Sequence, residues 1–270
     1  MSSSCISAMP ISTPAGSVAR MNDRPLHGIR VLDLTRVLAG PHAARMLCDL
    51  GAEVIKVEPP EGDITRTTWP RANSISSYFA QQNVGKRCIS IDLDHTAGRE
   101  LLLQLVDRCD VVIENFRPGV MDRLGLGWAT LHARNPRLIY AHATGFGPRG
   151  PEATHPAMDQ MGIARSGLMM AVGESGQPPQ QIAGGIADQM SGFMLAYGVL
   201  AALVARERHG VGQQVDVSQL GSMAALQGLN LSSRLMMGAA FPRVARSDSG
   251  NPLWNHYRCA DERWIALGMA

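Results

Sequence analysis

Aromatic side chains supply only 5% of this 270-residue chain and charged ones 18%, against 45% hydrophobic residues. A core of aliphatic and methionine side chains is therefore expected, and disordered or fibrous classes are excluded. Charge of either sign is sparse and balanced, with 25 Lys and Arg against 23 Asp and Glu, a formal net charge of +2. No block of like charge occurs, which argues against nucleic acid or an anionic membrane surface as a partner. The five cysteines, Cys5, Cys48, Cys88, Cys109 and Cys259, lie far apart and form no CxxC pair. Neither a disulfide framework nor a zinc site is expected, and a reducing, cytoplasmic location fits. The longest apolar run, residues 193–205, falls short of the roughly 20 residues that cross a bilayer and reads as a buried helix.

Several catalytic signatures are also missing. There is no GxSxG elbow for a serine nucleophile, and the eight histidines form no HExxH pattern, so neither a serine hydrolase nor a metal hydrolase is indicated. A literal GxGxxG does occur at Gly145, Gly147 and Gly150, but Pro148 and Pro151 remove amide donors that a pyrophosphate needs at a helix start. The first βα turn, TRVLAGP, is where such a fingerprint belongs, and it lacks it. A nicotinamide or flavin enzyme is not expected.

What is present is an alternation of strand and helix signals. GIRVLDLT reads as a buried strand, residues 39–50 as a helix closed by Gly51, and AEVIKVE as a second buried strand. A polar loop over residues 59–85 precedes CISIDL, and residues 96–108 have helical spacing with Leu101, Leu102 and Leu105 inward. CDVVIENF, short helices over 120–124 and 129–133, and a strand over 138–143 follow. Strands apolar on both faces and separated by helices predict an α/β fold, a Rossmann-like parallel sheet with helices on both sides. After a Gly- and Pro-rich loop, a long helix begins near Asp188 and ends at Gly210, with Arg206, Arg208 and His209 placed to complement its dipole. QQVDVSQ reads as a further strand, residues 220–237 as one helix, and HYRCADERWIAL as a hairpin turning at residues 260–262.

Two segments carry candidate chemistry. In GGIADQMSGFM, Asp188 stands at a helix start, where it serves either as the N-cap or as a carboxylate nucleophile kept ionised by amide donors and the positive helix end. In ENFRPGVMDRLG, Asn115, Phe116, Arg117 and Arg123 follow a strand at the sheet edge where α/β proteins bind ligands. Arg36 and Lys56 are either ordinary surface charges or part of a basic rim for a polyphosphate.

The order of GIRVLDLTRVLAGP, LGAEVIKVEPPEGD, NVGKRCISIDL, VVIENFRPGVMDRLGLG, NPRLIYAHATGFGPRGP and GGIADQMSGFMLAYGVLAALVARERHGVGQQVDVS resembles the class III CoA-transferases. That family includes formyl-CoA and carnitine CoA-transferases and the related 2-methylacyl-CoA racemases. Residues 1–25, rich in Ser, Ala and Pro and without a hydrophobic secretory core, read as a disordered extension or as lying before a true start at Met21. The resemblance implies a Rossmann-like CoA-binding domain over 26–238 and a linker with the incomplete start of a smaller domain over 239–270. It places the nucleophile at Asp188 and coenzyme A contacts at Val37, Ala39, Ile91, Asp92, Leu93, Asn115, Phe116 and Arg123. It further implies an acyl-CoA donor, a carboxylate acceptor, an interlocked homodimer and no metal. Leu38 stands where formyl-CoA transferase has a polar residue and Pro59 where it has a basic one, so the acyl pocket and some phosphate contacts differ. The racemases use a histidine directly before an aspartate; here that place holds Met158 and Asp159, and methionine is no base. Transfer is therefore expected over racemisation. The chain ends inside RWIALGMA, which reads as an unfinished strand and turn, so a non-catalytic fragment or assembly partner is the rival expectation.

Overall fold

The structure is a computed structural model and describes residues 24–68, 70–239 and 241–269, so the expected N-terminal extension lies almost wholly outside the described residues. A βαβ unit opens it: β1 (Arg30–Asp33), α1 (Ala39–Asp49) and β2 (Glu53–Glu58). A two-stranded hairpin, β3 (Arg71–Ala72) and β4 (Ile75–Ser76), leads into α2 (Ser77–Asn83), then β5 (Arg87–Ser90) and α3 (Thr96–Val106). Next come β6 (Val111–Glu114), α4 (Val120–Arg123), α5 (Trp128–Arg134) and β7 (Ile139–Thr144). Helices α6 (Asp159–Arg165), α7 (Leu168–Ala171) and α8 (Ile186–His209) precede β8 (Gln214–Ser218). Helices α9 (Gln219–Leu226) and α10 (Gly228–Met237) and a closing hairpin, β9 (Trp254–Arg258) with β10 (Trp264–Gly268), complete the described chain.

The main sheet is six-stranded and parallel, in the order β5-β2-β1-β6-β7-β8. Chain progression reverses between β1 and β6, which makes the crevice beyond their carboxyl ends the topological switch point where such sheets bind ligands. Alternate strand residues feed two cores. Val31, Val111, Ile113, Ile139 and Ala141 pack with α1 and α8, while Leu32, Val112 and Tyr140 pack with α3 and α5. Helices α1 and α8 touch closely because Gly192 lacks a side chain: a Cβ there would stand 2.8 Å from the Ala39 carbonyl oxygen.

Five local expectations change. The loop over 59–85 contains α2, whose N-cap Ser76 Oγ accepts from the Phe79 amide at 3.2 Å. Strand β5 is exposed at every position because it forms the sheet edge, so it is not apolar on both faces. On α3 the inward residues are Leu102 and Val106, both fully buried, whereas Leu101 is exposed. The single helix over 220–237 is broken at Gln227, where the side-chain amide donates to the Ser166 carbonyl at 2.8 Å. Finally, Lys56 is neither a surface charge nor part of a rim: it is fully buried, paired with Asp63 at 3.0 Å and donating to the Thr35 carbonyl at 2.7 Å.

Helix α8 does end at Gly210, whose φ of 80° is open to a residue without Cβ. Arg206, in the last turn as expected, is also buried and clamps Asp110 at 2.8 Å, while the other Asp110 oxygen accepts from the Arg30 amide. By length and composition α8 could cross a membrane, with a mean hydropathy of 1.3 in its most apolar window. Its Leu195, Val199, Ala202 and Leu203 nevertheless lie in the core against α1 and the sheet, as a core helix does.

Candidate active site

The β1–α1 turn builds the floor of the site. Asp33, fully buried at the end of β1, accepts from the Thr35 amide at 3.0 Å and from the Thr35 hydroxyl, and pairs with Lys86 at 2.8 Å. Asn115 then fastens the turn from the neighbouring strand end. Its Oδ1 accepts from the Arg36 amide at 2.8 Å and its Nδ2 donates to the Arg36 carbonyl at 2.8 Å. The Asn115 side chain is thus committed to backbone. Held this way, Val37 adopts a left-handed φ of 69°, a conformation that costs a β-branched residue on the order of 1–3 kcal/mol and that clusters at ligand sites.

Asp188 faces this turn from the start of α8. It is not the N-cap, because the helix begins at Ile186 and Asp188 is its third residue. The cap carboxylate arrives from α6: Asp159 Oδ1 accepts from the amides of Ala187 at 2.7 Å and Asp188 at 3.1 Å. The amide donors expected to hold Asp188 ionised therefore serve Asp159. Burial and the adjacent Asp159 charge push the Asp188 carboxyl up to about 6, opposed by a hydrogen bond from Gln219. Asp188 is still charged at neutral pH, but as a poorly stabilised and hence more basic carboxylate. Tyr78, from α2, also feels this pair: burial and the charges of Asp188 and Asp159 raise its phenol.

Two adjoining clefts meet at this place. One, of about 380 Å³, is lined by Val37, Leu38, Ala39, Asn115, Phe116, Met158, Asp188 and Gln219 among others. The second, of about 670 Å³, is lined by Ile91, Asp92, Leu93 and Arg123. Arg36 and Phe116 border both, with the Arg36 guanidinium 5.3 Å from the Phe116 ring centre. The site residues singled out in the sequence thus divide between two adjoining clefts at the switch point, apart from buried Lys56. The second cleft carries Arg36 and Arg123 against Glu58, Glu61, Asp92 and Asp94, so its cations are outnumbered. Glu58 is partly neutralised: burial would raise it, yet Arg66, at 2.7 and 2.6 Å, brings it down to about 2. Among the described residues no group of three His, Cys, Asp or Glu is arranged to hold a metal ion.

Residues 26–270 match the family described as CoA-transferase family III. The chain belongs to this family. Among curated CoA-transferases it is 47% identical over 206 residues to the acetyl-CoA:oxalate CoA-transferase of Acetobacter aceti, covering 75% of this chain and 53% of that one. It is 41% identical to a probable fatty acyl-CoA transferase of Mycobacterium tuberculosis, covering 86% and 58% of the two chains. A solved CAIB/BAIF family protein from Brucella suis superposes with a TM-score of 0.84 at 38% identity, covering 88% of this chain and 65% of that one. The chain therefore spans between about half and two thirds of these relatives' lengths.

Within this CoA-transferase fold the GxGxxG segment is a loop. The Gly147 amide donates to Thr144 Oγ1 at 2.9 Å, and the next helix starts only at Asp159. Sequence reasoning missed Gln219 and the capping role of Asp159. The only local trace of the former is its place directly after β8, next to the Ser218 cap. Replacing Asp159 with asparagine keeps an acceptor for the α8 amides but removes the neighbouring charge. The pH midpoint for carbodiimide labelling of Asp188, read by peptide mass spectrometry, is then expected to fall towards the ordinary carboxylate range.

Proposed function

We propose that the chain carries the nucleophilic half of a CoA-transferase, moving CoA between an acyl-CoA thioester and an acceptor carboxylate through covalent intermediates on Asp188. The observation that carries this reading is the position of Asp188, a carboxylate with raised basicity that lines the same cleft as Val37, Ala39 and Asn115. The thioester end of the donor occupies this cleft, and the remainder of CoA runs past Arg36 and Phe116 into the second. The names of the relatives support the reaction class, as they pair CoA thioesters with small carboxylic acids.

In the first step a carboxylate oxygen of Asp188 attacks the thioester carbonyl. The tetrahedral intermediate collapses with cleavage of the C–S bond, giving an aspartyl–acyl anhydride and CoA thiolate. The thiolate then attacks the Asp188 carbonyl carbon, expelling the donor as its carboxylate and leaving an aspartyl–CoA thioester. The acceptor carboxylate attacks that carbonyl and displaces the thiolate again, which finally takes the acceptor acyl group and frees Asp188. Amides near Gly184 and Gly185 serve as oxyanion donors in this scheme. Racemisation would require a base where Met158 stands.

The reading includes a homodimer in a reducing cytoplasm. Exposed Phe193, Tyr197, Leu235 and Met236 on α8 and α10 offer apolar surface for such an interface. Incubating the protein with an acyl-CoA and measuring intact mass after rapid quenching is expected to show an added acyl group or CoA located at Asp188. An adduct elsewhere, with position 188 unmodified, would refute the assignment.

A further inference from the structure

We propose that Gln219 is the positioning residue of Asp188, holding one carboxylate oxygen as the electrophilic half of the group while the other is left to attack. The proposal rests on the reading of Asp188 as the nucleophile and assigns a role to a side chain outside the sequence-derived set.

The geometry comes from three helices meeting at one point. Gln219 is the first residue of α9, directly after the Ser218 cap, and is 6% exposed. Its Nε2 donates to Asp188 Oδ1, while Asp188 Oδ2 has no hydrogen-bond partner among the described residues. The Gln219 side chain is also wedged in place. A Cβ at Gly162 of α6 would lie 3.2 Å from the Gln219 Cβ and 2.8 Å from the Ala187 Cβ, so only glycine lets α6 close over both. Gln219 Oε1 is buried without a partner among the described residues. Leaving such an acceptor unmade costs about 1–3 kcal/mol, a cost that packing alone would remove by placing methionine or leucine there. An amide kept under that penalty, with its donor end on the nucleophile, points to function rather than packing.

The chemistry follows from which oxygen is held. Oδ2 attacks the donor thioester, so Oδ1 becomes the carbonyl oxygen of the anhydride. When CoA thiolate then adds to the Asp188 carbonyl carbon, the electron pair moves onto Oδ1, where the Gln219 N–H already points. The same donor serves when the acceptor carboxylate attacks the aspartyl–CoA thioester. Attack on the donor's own carbonyl places charge on a different oxygen, out of this contact. Loss of the amide should therefore slow the steps centred on Asp188 more than the first acylation. The charged and titratable groups facing Asp188 are Asp159 from α6 and Tyr78 from α2. Arg36, Arg117 and His155 share its cleft.

The test compares Q219M, of similar length but without a donor, with Q219E, which replaces the donor by a second carboxylate. Carbodiimide labelling of Asp188 against pH requires no turnover. Its midpoint is expected to rise by about one pH unit in Q219M, the worth of one charge-assisted hydrogen bond, and further in Q219E. In quenched reactions, the ratio of acyl adduct to CoA adduct at Asp188 is expected to rise roughly tenfold in Q219M. Unchanged midpoints and an unchanged adduct ratio in folded variants would overturn the role of Gln219 while leaving Asp188 as the nucleophile. Normal exchange by D188N would instead overturn the underlying reading. Should Q219M not fold, the same midpoint and adduct ratio in Q219L, which also lacks a donor and adds no charge, decide instead.

Discussion

Replacing Asp188 by asparagine is expected to abolish CoA exchange, by roughly a thousandfold or more, and at the same time to make the protein more stable at neutral pH. The first effect follows from the proposed role of Asp188 as the nucleophile, since a neutral amide oxygen would not form the anhydride of that scheme. The second follows from linkage. The folded-state pKa of Asp188, about 6, lies above the ordinary value of 3.8. A group raised in this way contributes stability that is fully present below its unfolded pKa and is lost as pH rises through the folded one. Between about pH 4 and pH 6 the wild-type protein therefore gives up stability that D188N, with no proton to lose, retains. Discounting for partial solvent access, the gain at pH 7 is roughly 1–2 kcal/mol, closing to nothing near pH 4. Urea unfolding of both proteins at the two pH values measures it. A variant equally destabilised at both would show that Asp188 is an ordinary structural contact and carries no stored electrostatic strain.

Most of the fold was legible because β1, β2, β6 and β7 are covered on both sides, so their apolar runs, such as Val111–Glu114 after Cys109, stand out from the polar helices between them. Legibility fell where tertiary position decides the outcome. β5 carries the same kind of residues but sits at the sheet edge, and α2 hides inside a polar stretch whose only start signal is the Ser76 cap. Asp188 does line the switch-point cleft, but the electrostatic setting read for it from the sequence is overturned. A carboxylate near a helix start reads locally as stabilised by that helix, whereas the amides are taken by Asp159, 29 residues earlier in the chain. Lys56 gave no local signal of its burial, and Gln219 only its place beside the Ser218 cap. A lone lysine at a strand end normally reaches solvent, and only the return of the Asp63 turn over it closes it off.

Substituting Lys86 by methionine is expected to cost about 3–5 kcal/mol of folding stability, an effect with a specific electrostatic origin. Lys86 and Asp33 are both fully buried in their side chains and 2.8 Å apart. The ammonium also donates to the Pro41 carbonyl and to Asn83 Oδ1, both at 2.9 Å, joining β1, the first turn of α1 and the end of α2. Burial alone would raise Asp33, but Lys86 and then Lys56 outweigh it and hold the carboxyl below its usual range. A depressed carboxyl contributes stability that is present above its unfolded pKa and lost as pH falls through the folded one. Without Lys86 burial dominates, so the penalty of K86M is widest at neutral pH and narrows in acid as Asp33 takes up a proton. Because much of the cost is the orphaned charge and not the lost pair, D33N in the K86M background should recover a large part of it. The amide oxygen that D33N introduces can still accept from the Thr35 backbone N–H, keeping the turn that presents Val37 to the cleft. A double-mutant cycle from urea titrations reads the coupling. Strictly additive losses would show that Lys86 acts through its carbonyl contacts alone, with Asp33 uncharged in the folded protein.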